Sequence, residues 1–155
     1  MEKKKGSVLV SLALCALVAA ALTYISIRFR AIFETYYGHY GAIENAPEHY
    51  ERIWKILKGC FIPCAAMAYA ALAVLVRLLL NIKNERMFTS ENIMLLRILA
   101  WLCMAVAAIT AWCGPGYMPL FIVSAAALFI SVILFVIKDV FVNAKIISEE
   151  NDLTI

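Results

Sequence analysis

The sequence predicts an all-α fold, an integral membrane four-helix bundle with both termini in the cytoplasm, and three observations carry that prediction. The first is composition. Of the 155 residues, 65% are hydrophobic and 16% are charged, with a mean hydropathy of +0.86, whereas soluble domains are about 45–50% apolar and about 25% charged. The second is distribution: four apolar runs each approach the ~20 residues needed to cross a hydrocarbon core ~30 Å thick. Lipid offers no partner to backbone N–H and C=O groups, so runs of this kind are helices. The third is the short charged turn between the second and third runs, VRLLLNIKNERMFTSENIMLLRI over residues 76–98. Lys83 and Arg86 lie in this turn and Arg77 and Arg97 at its ends, so the positive-inside tendency places it in the cytoplasm.

One transmembrane domain, residues 1–155, follows, with spans at about 8–28, 57–81, 92–112 and 118–139. Residues 29–52 form an outer loop, 82–91 a cytoplasmic loop and 143–155 a cytoplasmic tail. Nine Lys and Arg residues fall on the inner side (Lys3, Lys4, Lys5, Arg77, Lys83, Arg86, Arg97, Lys138 and Lys145) against five outside (Arg28, Arg30, Arg52, Lys55 and Lys58), which agrees with the assignment.

Each element has its own justification. The first run follows three lysines, and Ala19-Ala20-Ala21 imitates a signal-peptide cleavage site. The apolar stretch nevertheless continues through Leu22, Ile25 and Ile27, beyond the ~7–15 residues of a signal core, so it is expected to stay as a span. The bulky leucine before Cys15 disfavours a lipoprotein reading. In the outer interval, Tyr36, Tyr37, Tyr40 and Tyr50 suit the headgroup layer, while Gly38, Gly41 and Pro47 predict turns. Lys55 and Lys58 are placed to snorkel at the outer end of the second span, and Pro63 predicts a kink. Thr89 or Ser90 is expected to cap the third helix, with Glu91 complementing its dipole. Cys113-Gly114-Pro115-Gly116 is a turn short enough to make the third and fourth helices antiparallel neighbours, and Pro119 fits the first turn of the fourth. That helix is expected to end near Ile137 and fray beyond Lys138. Ala16, Ala20, Ala66, Ala70, Ala125 and Ala126 are expected to let the helices approach closely.

Several function classes find no residues to rest on. The net charge of +3 is not gathered on a folded basic face, so direct nucleic-acid binding is not expected. Cys60 and Cys64, at i and i+4, could join His39 and His49 in a metal site or act as an outward dithiol. Four-helix membrane thiol oxidases use a Cys-x-x-Cys motif that is absent here, so the cysteines read as packing residues and no metal or cofactor is expected. A Ser/His/Asp set, a Gly-rich phosphate loop and paired acids are likewise absent, and the reading is non-enzymatic. A small transporter, or a subunit of one, is the alternative. No carboxylate falls at mid-depth in any run, so its polar path would depend on Thr23, Ser26, Thr110, Ser124 and Ser131. Trp54, Trp101 and Trp112 read as interfacial belt residues. Arg97 and Asp139 share a leaflet, where they either pair or are separately solvated.

The segment NERMFTSENIMLLRI and the ending EENDLTI, together with the four-span layout, resemble the bacterial membrane proteins grouped as domain-of-unknown-function 2975. The resemblance covers nearly the whole chain and is strongest over Glu150 to Thr154, with no motif in the first span or outer loop. It implies a multi-pass protein of the bacterial cytoplasmic membrane without established activity, whose gene often neighbours that of a small helix-turn-helix regulator. The expected function is therefore a regulator or interaction partner of a cytoplasmic, helix-turn-helix type transcriptional regulator, with self-association as a further possibility. The candidate interaction residues are Lys83, Arg86, Phe88, Asn92, Arg97, Asp139, Glu149, Glu150, Asn151, Asp152 and Leu153.

Overall fold

A computed structural model of the chain describes the backbone of residues 2–41, 47–84 and 89–152, and the side chains of residues 8–35, 50–84 and 89–150. It holds four long helices: α1 (Glu2–Gly41), α2 (Pro47–Lys83), α3 (Ser90–Cys113) and α4 (Pro119–Asp152). A single 3-10 turn, Gly114–Gly116, joins the last two. All four helices are long and apolar enough to cross a membrane. The principal contacts run in chain order, α1 on α2, α2 on α3 and α3 on α4, and the last pair is the most extensive. One end of the bundle holds the α2–α3 hairpin and the end of α4, and is called the hairpin end below. The opposite end holds the end of α1, the start of α2 and the 3-10 turn.

Helix extends into two intervals that the sequence reading left outside its spans. The helix α1 has 40 residues and rises ~60 Å, twice the hydrocarbon thickness. Much of the interval expected as an outer loop is therefore helix, up to Gly41 on one side and from Pro47 on the other. Aromatic packing explains the continuation. Phe33 is buried against the rings of Tyr50 and Trp54, with centroids 5.2 and 4.9 Å away, and Phe29 stacks on Phe61 at 4.0 Å and on Trp54 at 5.6 Å. Phe29 and Phe33 are one turn apart, so they present a single apolar stripe to a matching stripe on α2. Arg30 Nε donates to Glu34 Oε1 at 2.7 Å along the outer face of α1. The second extension is α4, which does not fray at Lys138 but runs on to Asp152 because Phe141 packs into the core of the hairpin end. The side chains of Tyr36, Tyr37, Tyr40, His39 and His49 lie outside the described residues.

The pairing of α3 with α4 rests on hydroxyl groups rather than on the alanines expected to supply it. Ala16, Ala20, Ala66, Ala70, Ala125 and Ala126 are all exposed. Small size identifies residues that permit close approach, but only helical phase decides which of them face a neighbour. At the interface itself lie Ala100, which is 0% exposed, and Ala107 on α3, opposite Ser131 and Ser124 on α4. Ser131 Oγ donates to the Ala100 carbonyl at 2.9 Å and Ser124 Oγ to the Ala107 carbonyl at 2.8 Å. The two bonds are seven residues apart along each helix, about two turns, so a single antiparallel register satisfies both. Thr110 Oγ1 returns its own proton to the Val106 and Ala107 carbonyls at 2.8 and 3.1 Å.

Between α1 and α2, Thr23 Oγ1 lies 3.0 Å from the Tyr69 hydroxyl and also donates to the Ala19 carbonyl. Trp101 sits near the middle of α3, 57% exposed and edge-on to Phe135 at 6.0 Å, so it is not an interfacial belt residue. The helix α2 continues through Pro63.

The 3-10 turn is closed by steric fit. A Cβ at Gly114 would lie 2.7 Å from the Phe121 ring, and one at Gly116 would run into the Ile56 side chain. In contrast, Gly59 on α2 has nothing within 4 Å of its missing Cβ. Gly114→Ala is expected to destabilise the folded protein by about 1–3 kcal/mol, while Gly59→Ala stabilises it by about 0.5–1 kcal/mol by favouring helix. Thermal melts of both variants in one detergent provide the measurement, and equal shifts would contradict the steric assignment.

Candidate functional site

Polar side chains converge at the hairpin end from three helices. The last turns of α2 carry Arg77 and Asn81, one turn apart and so on the same face. The helix α3 opens with Thr89 as its N-cap, in extended backbone conformation, and its hydroxyl accepts from the Asn92 N–H at 3.4 Å. The Thr89 carbonyl also accepts from the N–H groups of Asn92 and Ile93, at 3.1 and 3.3 Å. This cap fixes the direction of Glu91 and Asn92. Glu91 lies in the first turn, where a carboxylate complements the helix dipole.

Both residues reach back to α2. Arg77 holds Glu91 Oε1 through Nη2 at 2.7 Å and through Nε at 2.8 Å. The Asn81 amide donates to Asn92 Oδ1 at 2.8 Å, and Asn92 is 0% exposed. The two contacts differ in energetic weight. The ion pair keeps much of its surface in contact with solvent and is worth about 0.2–1 kcal/mol. A buried amide that loses its partner costs about 1–3 kcal/mol, so the Asn81–Asn92 bond is the stronger clamp. Beneath it, Leu78, Leu95 and Leu96 form the apolar core, flanked by Val74, Leu75, Ile82, Leu134 and Phe141.

The helix α4 enters the cluster through Lys145. The register set by Ser131 on Ala100 and Ser124 on Ala107 places residue 141 opposite residue 90. Side chains lean toward the N-terminus of their helix, so a long side chain one turn beyond 141 reaches Ser90. Lys145 Nζ donates to Ser90 Oγ at 2.7 Å and lies 3.3 Å from Glu149 Oε1. Ser90, beside the N-cap, thus receives α4 while Thr89 closes α3.

The positions singled out from sequence separate into groups. Asn92 is at the centre of the cluster and Lys83 is exposed in the last turn of α2. Of the two readings left open for Arg97 and Asp139, pairing is not seen among the described residues. Asp139 meets the neighbouring Lys138 at 2.7 Å, and Lys138 also lies 5.9 Å from the Phe135 ring centre. Arg97 is exposed on α3. Glu149 pairs within its own helix rather than with the basic turn, and Glu150 makes a further interaction of its own. Arg86, Phe88 and Leu153 lie outside the described residues, as do the side chains of Asn151 and Asp152. Asn81, Ser90 and Lys145 complete the cluster and were not among the candidates. For Asn81 a signal was present, since an amide in the last apolar turn before a hairpin needs a partner across it. Lys145 gave none, because its contact depends on the α3–α4 register.

At the opposite end, the thiols of Cys60, Cys64 and Cys113 are neighbours, and the five cysteines are free. Among the described residues, no group of three or more His, Cys, Asp or Glu side chains is arranged to hold a metal ion.

Residues 40–155 match a family model described as "Protein of unknown function (DUF2975)". The match takes in α2, α3 and α4, and so the whole hairpin-end cluster, but little of α1; the resemblance is thus narrower than the nearly full chain expected. No curated protein and no solved structure is similar enough to this chain to count as a match.

The separate substitutions Asn81→Ala and Asn92→Ala, and the two combined, test the clamp. Because each single change removes the partner from the other side of the same bond, the double variant should be less destabilised than the sum of the singles by about 0.5–3 kcal/mol. Additive losses in equilibrium unfolding would mean that the two amides act independently.

Proposed function

This chain belongs to the DUF2975 family, and from that premise we propose that it is a non-enzymatic membrane regulator that engages a cytoplasmic partner at the hairpin end. The observation that carries this reading is the Lys145–Ser90 bond, which holds the end of α4 against the first turn of α3. The α2–α3 hairpin and the acidic segment around Glu149, Glu150 and Asp152 therefore lie at one end of the molecule. Excess Lys and Arg on that side supports its placement in the cytoplasm of a bacterial cell.

In this reading the end of α4 is a rigid presenting element. Glu149 and Glu150 are exposed, and Val140, Ile146 and Ile147 are exposed apolar residues on the same helix. An acidic helix with apolar anchors suits a basic, grooved partner such as a small DNA-binding regulator, where charge steers encounter and apolar side chains supply burial. Lys83, exposed in the last turn of α2, flanks the same surface and fixes the orientation of docking. Four of the five hydroxyls that a transport path would need, Thr23, Thr110, Ser124 and Ser131, are engaged within or between helices. That favours an interaction role over a small transporter or transporter subunit.

Two measurements test the proposal together. Reporter fusions at residues 84 and 150 should both report the cytoplasm, and opposite compartments would end the reading. Capture from native membranes through an N-terminal tag should retain a partner on the full chain and lose it when residues 148–155 are removed. A partner kept by the shortened chain would place the contact elsewhere.

A further inference from the structure

The groove between α1 and α2, at the end opposite the hairpin, is the one place among the described residues where two basic groups with donors to spare meet an apolar track beside an unpartnered buried hydroxyl. It is an open groove of about 410 Å³, lined by Ser26, Phe29, Arg30, Lys58, Phe61 and Ile62, with Ala65 at its inner end. The Ser26 hydroxyl oxygen is buried and has no hydrogen-bond partner. A buried hydroxyl without a partner is costly and rare, and most serines within helices return their proton to their own backbone, as Thr23 and Thr35 do here.

The chemistry of the groove is ordered by depth. Because α1 climbs toward this end and α2 descends from it, Ser26 lies one turn, ~6 Å, deeper than Arg30. In the same way Ile62 and Ala65 lie one to two turns, ~6–10 Å, deeper than Lys58. From outside inward the groove therefore offers two cations, then the stacked rings of Phe29 and Phe61 with Ile62, and at its deepest Ser26 and Ala65. Arg30 gives only its Nε to Glu34, which leaves the terminal guanidinium nitrogens for another acceptor. Among the described residues Lys58 has no ion-pair partner within 4.0 Å. The nearby carboxylates are accounted for: Glu34 is bound to Arg30, and Glu51 lies 3.5 Å from Lys55. Both line a separate 270 Å³ pocket with Arg30, on the side of the groove away from Ser26 and Ile62.

We infer that this groove is a binding site for a bilayer phospholipid with an anionic headgroup. The phosphate meets Arg30 and Lys58, and one acyl chain lies along Phe61, Ile62 and Ala65. Charge complementarity selects the occupant. A zwitterionic lipid fills the apolar track equally well but brings its own cation to two basic groups, and a free phosphate leaves the track empty. The site is distinct from the hairpin-end cluster and does not depend on the partner proposed for it.

Native mass spectrometry of the full chain released from detergent, after incubation with phosphatidylglycerol or phosphatidylcholine, tests the assignment. One phosphatidylglycerol per chain should be retained in preference to phosphatidylcholine. At about 1 kcal/mol per basic group, Arg30→Gln or Lys58→Gln should weaken retention about fivefold and the double variant about thirtyfold. Arg97→Gln, an exposed cation at the other end, serves as the control and should leave retention unchanged. Arg30 and Lys58 are exposed, so their replacement leaves packing intact, and unchanged melting temperatures confirm that. Equal retention of both lipids, an unaffected double variant, an equal loss in Arg97→Gln, or displacement by millimolar inorganic phosphate would each overturn the proposal. So would a dimer of chains in place of the lipid-bound monomer.

Discussion

Two serine hydroxyls on α4, each bonded to a carbonyl of α3, fix the arrangement on which the hairpin end depends. Between helices in lipid there is no hydrophobic drive, because acyl chains are as apolar as leucine. Association therefore depends on close backbone approach and on the few polar bonds that cross. Ser131 and Ser124 provide both, since a small side chain admits the neighbouring backbone and its hydroxyl finds an acceptor there. Once that register is set, Phe141 faces the Leu78, Leu95 and Leu96 core and Lys145 comes within reach of Ser90.

The remaining helices attach by different means. The helix α2 is held to α3 by the Asn81–Asn92 bond and the leucine core near the hairpin. It carries α1 through an aromatic stack at the other end and through the Thr23–Tyr69 contact nearer mid-depth. The family match covers the first of these relationships and stops short of the second, as it begins at residue 40. The division is also chemical: α2, α3 and α4 are joined by buried polar bonds, whereas α1 is joined mainly by rings.

Much of this was legible in the residues. Four helices, the antiparallel α3–α4 pair, the Thr89 cap, Glu91 at the dipole and Pro119 at the start of α4 all follow from local rules of length, capping and turn chemistry. The misreadings involve helical phase. Alanines such as Ala125 and Ala126 were the right type in the wrong angular position, because an all-apolar run gives no contrast between its lipid face and its packed face. The outer interval looked like loop because Gly38 and Gly41 weaken helix locally, and the compensating stack of Phe29 and Phe33 on Trp54 needs α2 in place. At the candidate site, Asn92 was recognised while Lys145 was not. A contact 55 residues away in sequence is visible only after the register is known.

The helix α4 is 34 residues long and unbroken, a rod of ~51 Å. A rod of that length outruns the hydrocarbon layer by ~20 Å, and it has no joint between its exposed end and its bonded middle. The end at Glu150 and the seam at Ser131 and Ser124 therefore belong to one continuous helix, with Lys145 and Phe141 anchored between them.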